Sequence, residues 1–323
     1  MTRFMAVMST ALLAASVASA QTSTAPGQTT PPSSTQPPQT ATPGPAPGAQ
    51  AAPAAGSHRV LQAKSQEEMK AYQDAFAVSD PAAAEAAADA FSTKYPSSEL
   101  RVSLYMRVMN LFGQANNTEK VIATGRQAIA ADPTNPVPLV QVASALAEST
   151  RDTDLDREQR LAEAAKDAQA AIDNLDTGLL VPPNADPARV EAAKHSILTM
   201  AYDTLGMVNL NRNDYAAAAT NLQKAIDESS GNPEGVLYLR LSVAQDKLQQ
   251  LPQALDSANK AVQYSQAGST AMALAKQQQE RLQKLISAGS SEPKPGANPG
   301  SAASPTAAPP APASPPSTST TPH

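Results

Sequence analysis

From Ser65 to Ile286 the apolar residues recur at spacings of three and four, Ala fills many of the positions between them, and no run alternates with a period of two. That pattern predicts helices and no strands. The helix starts are marked. Ser65-x-x-Glu68 reads as a capping box, in which the hydroxyl and the carboxylate satisfy backbone N–H groups that have no partner in the first turn. Asp80-Pro81, Asp132-Pro133, Asn135-Pro136 and Asp186-Pro187 each set an N-cap residue before a proline suited to the first helical position, although the same pairs also make turns.

The helical pattern repeats itself. Tyr202-x-x-Leu205-Gly206 followed by Ala218-x-x-x-Leu222-x-x-Ala225 recurs 36 residues on, as Tyr238-x-x-Leu241-Ser242 and Ala254-x-x-x-Ala258-x-x-Ala261. Tyr105-x-x-Val108-Met109-x-x-Phe112, with Val121-x-x-x-Gly125-x-x-Ala128 after it, recurs 34 residues on as Leu139-x-x-Val142-Ala143-x-x-Leu146. These residues resemble the tetratricopeptide repeat, a helix–turn–helix unit of 34 residues. Tyr202 stands where that family has Trp, Asn209 where it has Tyr, and Pro233 comes three residues late. The resemblance implies an all-α fold, a right-handed α-solenoid of helix pairs. Gly206, Ala218 and Ala225 would let paired helices approach, and Tyr202, Leu205 and Leu222 would fill the gap to the next repeat. Asn213-Asp214-Tyr215 would make the turn inside the pair, with Asp214 as N-cap.

Five repeats are expected: Ser65–Ser98, Glu99–Asn135, Pro136–Gly178, Asp186–Gly231 and Asn232–Gly268. A polar capping helix, Ser269–Ser287, follows, with Gln277–Gln279, Glu280 and Arg281 facing water. The third repeat carries about nine extra residues near Ser149–Asp156, because its second-helix marker, Ala164-x-x-x-Ala168-x-x-Ala171, comes late. Phe91-x-x-x-Tyr95-Pro96 is similar to the linkers of repeats in bacterial envelope-assembly proteins.

Outside this body the composition changes. Most of the 29 prolines lie in Gln21–Ser57 and Ser290–His323, which carry no aliphatic side chain larger than Ala and no charge except Glu292 and Lys294. Such segments cannot bury enough surface to offset their conformational entropy and are expected to be disordered spacers biased toward polyproline II. Residues 1–20 read as a secretory signal: Arg3, an apolar run from Phe4 to Val17, and the small-residue cleavage site Ala18-Ser19-Ala20. The apolar run is too short for a membrane span. The expected organisation is a signal peptide over 1–20, a tail over 21–57, the repeat domain over 58–289 and a second tail over 290–323, with the mature chain periplasmic or secreted.

Little here points to chemistry. With no Cys and only three His, at 58, 195 and 323, thiolate catalysis, disulfides and a His-built metal site find no support. The net charge of −5, without a basic cluster, disfavours nucleic acid. Asp152-Thr153-Asp154-Leu155-Asp156 resembles the start of a calcium loop and Glu163 falls at its twelfth position, but the loop glycine is missing and a helix should already have begun. His195 has neither a nucleophile nor an acid at a readable spacing and is expected to be a half-buried helix residue. No catalytic residue, cofactor site or metal site is expected, and an enzyme is the remote alternative.

The resemblance implies that the first helix of each pair lines a concave face holding a protein or peptide. Carried over by position, that face comprises Met106, Asn110 and Gln114 in the second repeat, and Val140 and Ser144 in the third. Met200, Asp203, Met207 and Asn211 follow in the fourth, and Leu239, Val243 and Asp246 in the fifth. The set has no Lys or Arg to clamp an acidic terminus. Met207 and Val243 also read as core residues, since interface and core methionines look alike. The alternative function is a structural subunit of an envelope assembly that uses other faces.

Overall fold

The computed structural model describes residues 61–290, apart from Pro183 and Asn232. The signal segment and both tails lie outside the described residues. Among the described residues there are twelve helices and no strand: α1 Gln66–Phe76, α2 Pro81–Lys94, α3 Leu100–Gln114, α4 Thr118–Ala131, α5 Pro136–Ser149, α6 Arg157–Asp173, the short α7 Leu175–Gly178, α8 Pro187–Asn211, α9 Tyr215–Glu228, α10 Gly235–Lys247, α11 Leu251–Tyr264 and α12 Thr270–Ser290. They pack as pairs, α1 with α2, α3 with α4, α5 with α6, α8 with α9 and α10 with α11, and each pair stacks on the next, with α12 closing the array against α11 and α10. This is the all-α solenoid of tetratricopeptide-like pairs. We call α1, α3, α5, α8 and α10 the A helices and their partners the B helices.

The starts follow the expected residues. Ser65, Asp80, Asn135, Asp186 and Asp214 each accept a backbone N–H of the following first turn. The capping box is shifted by one residue: Glu68 reaches back 2.7 Å to the N–H of Lys64 rather than to that of Ser65. Asp132 ends α4 instead of starting a helix, and its carboxylate accepts from the Thr134 N–H and hydroxyl.

The turns inside three of the pairs share one design. α3, α8 and α10 run into Asn116, Asn213 and Gln249, all at positive φ of 56 to 61°. The N–H one residue later then bonds back five residues: Asn117 to Phe112, Asp214 to Asn209, Gln250 to Gln245, each at 2.9 Å. That is the Schellman closure of a helix end. The first and third pairs lack it. In the first, α1 ends at Ala77 at a φ of -72°. In the third, α5 ends at Thr150 in extended conformation, and the chain runs on to Asp156 before α6 begins. This is the place where the sequence shows extra residues.

Close packing rests on small B-helix residues. Ala128, Ala164, Ala168, Ala171, Ala218, Ala225, Ala254, Ala258 and Ala261 are completely buried. Leu222 joins the cluster with Leu237 and Leu241 of the next pair, as expected, and it also fills the space over Gly206 of its own pair, where a Cβ would stand 2.7 Å from Leu222 Cγ. The capping helix is less polar outward than expected. Gln279 donates to Asn259 of α11, Arg281 pairs with Asp246 of α10, and Leu274 and Leu285 are exposed. Gln277, Glu280 and Arg281 are exposed, while Gln278 and Gln279 are half-buried.

Candidate functional site

The residues expected to line the A-helix face do not all reach it. Val140, at 2% exposure, and Met207, at 7%, are core residues and offer no surface. Val140 packs in the cluster shared by α5, α6 and α8, and Met207 joins the large cluster of the first three pairs. Met106 and Met200 are half-buried and lean on those same clusters. Asn110 and Asn211 are half-buried, Gln114 is exposed at the end of α3, and the Asn211 carbonyl accepts from Arg157. Ser144 donates to Glu148 at 3.5 Å. Leu239 and Val243 stay partly exposed on one side of α10, outside the apolar clusters, and Asp246 follows one turn later.

Asp203 and Asp246 are not free edge charges. Asp203 on α8 pairs with Arg240 on α10, and Asp246 on α10 pairs with Arg281 on α12. Their carboxylates are largely covered, with side chains 17% and 13% exposed. Asp203 Oδ1 is buried without a hydrogen-bond partner. Glu148 on α5 joins the same electrostatic neighbourhood. Loss of water around its carboxyl raises its pKa; Arg240 pulls it back down, and Asp203 adds to the rise. The A face of the last three helices in this row therefore consists of partly exposed apolar side chains around two ion pairs that join neighbouring helices.

Sequence reasoning left out Glu148, Arg240, Arg281 and Leu274. A signal was present: Arg240 follows Asp203 by 37 residues and Arg281 follows Asp246 by 35, offsets close to the repeat length. The B helices obey the same rule, Glu85 with Lys120 at 2.7 Å and Arg126 with Glu163 at 2.7 Å.

The calcium-like segment is an interhelical loop. Glu163 accepts both Arg126 nitrogens, Asp154 accepts the Arg151 N–H at 2.8 Å, Asp152 lies 3.3 Å from Arg157, and Asp156 sits at the start of α6 without a capping bond. No group of three metal-ligating side chains gathers among the described residues. His195 is exposed rather than half-buried, and its Nδ1 lies 2.8 Å from Glu228 on α9, a partner one helix away that spacing alone did not show. No described helix is long and apolar enough to cross a membrane.

One buried acid stands apart. Asp167 on α6 is pushed up to about 6, first by burial and then by Glu163; Lys166 and Arg126 oppose the rise. For an acid whose folded pKa exceeds its unfolded value, the penalty is absent below about pH 4, grows between pH 4 and 6, and is complete above. Asp167→Asn should therefore raise stability at pH 7 by about 1–2 kcal/mol, allowing for solvent screening, and leave it unchanged near pH 3.5. Urea midpoints at the two pH values check this; an equal gain at both would contradict it.

Solved structures to which the chain is similar include two of low identity. The crystal structure of MamA protein is 16% identical, covers 58% of this chain and 88% of its own, and superposes with a TM-score of 0.37. The crystal structure of PilW, a widely conserved type IV pilus biogenesis factor, is 15% identical, covers 71% of this chain and 96% of its own, with a TM-score of 0.41. No protein-family model and no curated protein matches the chain.

Proposed function

We propose that this chain is an exported, non-catalytic adaptor that holds a protein or peptide segment against the A face of its last helices. The observation that carries the reading is the row across α8, α10 and α12. Met200, Leu239, Val243 and Leu274 keep apolar surface in water beside the Asp203–Arg240 and Asp246–Arg281 pairs. Partly exposed apolar side chains framed by fixed charges suit a peptide that buries its own apolar residues and finds its register on the charges. Export rests on Arg3, the apolar run and Ala18-Ser19-Ala20.

The test uses full-length chain expressed in a secreting host. Its intact mass should correspond to a start at Gln21. A partner cross-linked to it in envelope extract is then titrated against Leu239→Ser/Val243→Ser. Both positions lie outside the apolar clusters, so the circular dichroism should be retained while affinity falls about tenfold or more. Unchanged affinity with an intact fold would overturn the A-face reading.

A second reading, an assembly subunit that uses another surface, is favoured by Leu155. It is fully exposed at the tip of the loop between α5 and α6, among Asp152, Asp154 and Asp156. Arg157 anchors that loop to the Asn211 carbonyl of the next pair. Loss of the partner on Leu155→Ser, with Leu239→Ser/Val243→Ser silent, would select this reading.

A further inference from the structure

α10 has a second working side. Turned away from Leu239 and Val243, its Tyr238 and Leu241 form the floor of an open groove of about 400 Å³ between α9 and α11. Ile226 and Pro252 add apolar wall, and the amides of Gln223 and Gln253 stand at the rim. Tyr238 stacks on Tyr264 with ring centroids 5.4 Å apart, and Tyr264 is 40% exposed, so an aromatic surface continues from the floor into water. The charged groups of the wall, Asp256 and Lys260, pair with each other at 2.9 Å. The groove is thus apolar, aromatic, amide-rimmed and electrically neutral.

We propose that the occupant of this groove is the chain's own C-terminal tail, through its proline run Ala308–Pro316. Three observations favour it. The tail from Pro295 to Pro322 carries no charge, which matches a groove whose own charges cancel. Aromatic-lined grooves with hydrogen-bonding rims are what polyproline II segments dock into, because that conformation is already low in entropy and presents its carbonyls outward. The tail also starts in the right place. It leaves α12, which packs directly on α11, the wall of the groove. α12 spans roughly 30 Å, whereas residues 291–323 reach on the order of 100 Å when extended. The tail can double back along α12 and still lay its proline run across α11. The N-terminal proline segment enters at α1, the opposite end of the array. Tethering supplies an effective concentration of about 1 mM, so even a contact of about 100 μM affinity is mostly formed. An external proline-rich ligand would have to displace the tail.

The absence of Cys makes the test clean. Full chain carrying Ser314→Cys is labelled with a nitroxide, and paramagnetic broadening of backbone amide signals is recorded in dilute solution. Signals of Gln253, Asp256 and Lys260 should broaden several-fold more than those of α3 and α4. The excess should vanish when Pro309, Pro310, Pro312, Pro315 and Pro316 are all changed to Ser in the same labelled chain. Uniform broadening, a maximum on other helices, or an excess that survives the proline changes would each overturn the proposal. So would broadening of an isotope-labelled, nitroxide-free chain mixed with the spin-labelled one, because that assigns the contact to a second copy.

Discussion

Gly178→Ala should cost about 3 kcal/mol of stability and lower the melting temperature by roughly 6–12 °C. Gly178 ends α7, which lies against the turn between α4 and α5. A Cβ there would stand 1.8 Å from the Thr134 carbonyl oxygen and 2.6 Å from its carbon. Those atoms are backbone, fixed on one side by Asp132, which holds the Thr134 N–H, and on the other by the start of α5 at Pro136. Neither can swing aside as a side-chain tip would, so α7 must lift from the turn. Gly113 is the internal control. It lies inside α3 and its nearest neighbour to an added Cβ, Val121 Cγ2, is 3.9 Å away. Gly113→Ala should therefore stabilise by about 0.5–1 kcal/mol through helix propensity alone. Thermal melts of the two variants should move in opposite directions. A shift in the same direction would mean that α7 is not seated on the turn.

Arg240→Met should lose about 2–4 kcal/mol at neutral pH. Arg240 is the cation between Asp203 and Glu148, and its removal leaves the largely covered Asp203 carboxylate and the more exposed Glu148 beside it without compensation. The deficit should shrink as pH falls toward 4. Arg240 is what pulls the raised Glu148 pKa back down, so without the guanidinium that pKa rises further and the penalty, which belongs to the charged form, disappears on protonation. Asp203→Asn added to Arg240→Met should recover a good part of the loss at pH 7, since most of it comes from an unpaired buried charge. Urea titrations of the single and double variants at pH 7 and pH 4 check both statements. A pH-independent deficit would point to lost packing of the Arg240 stem instead.

The helices were legible because their causes are local. Ser65, Asp80, Asn135, Asp186 and Asp214 cap their helices in the structure as their spacing indicates. The completely buried Ala residues of the B helices sit at the repeating small positions. The site was legible only in part. A helix-register argument gives the side of the helix but not its neighbour, so Val140 passed as a groove residue and Met207 stayed open between groove and core, although adjoining pairs cover both. Asp203 and Asp246 read as face residues without visible partners, because those partners sit one repeat away. Reading acids and bases at offsets near the repeat length would have exposed those pairs. Nothing local could have shown the hollow over Gly178, which depends on where a distant turn lands.

The apolar clusters are unequal along the array. The first gathers Leu100, Leu104, Met109, Phe112, Leu146 and Leu161 from several helices, whereas the last consists of Ala254, Ala258 and Leu282 with Leu251 and Leu255 beside them. In a stack where each unit touches only its neighbours, stability is a local quantity that is highest where such clusters are large. The array is therefore firmer over its first pairs and lighter at its tip. Its tip, α10 to α12, carries both Leu239 and Val243 on one side and the tyrosine groove on the other. A ligand that bridges these helices stabilises the end that opens most readily, and its binding free energy appears there as local folding free energy.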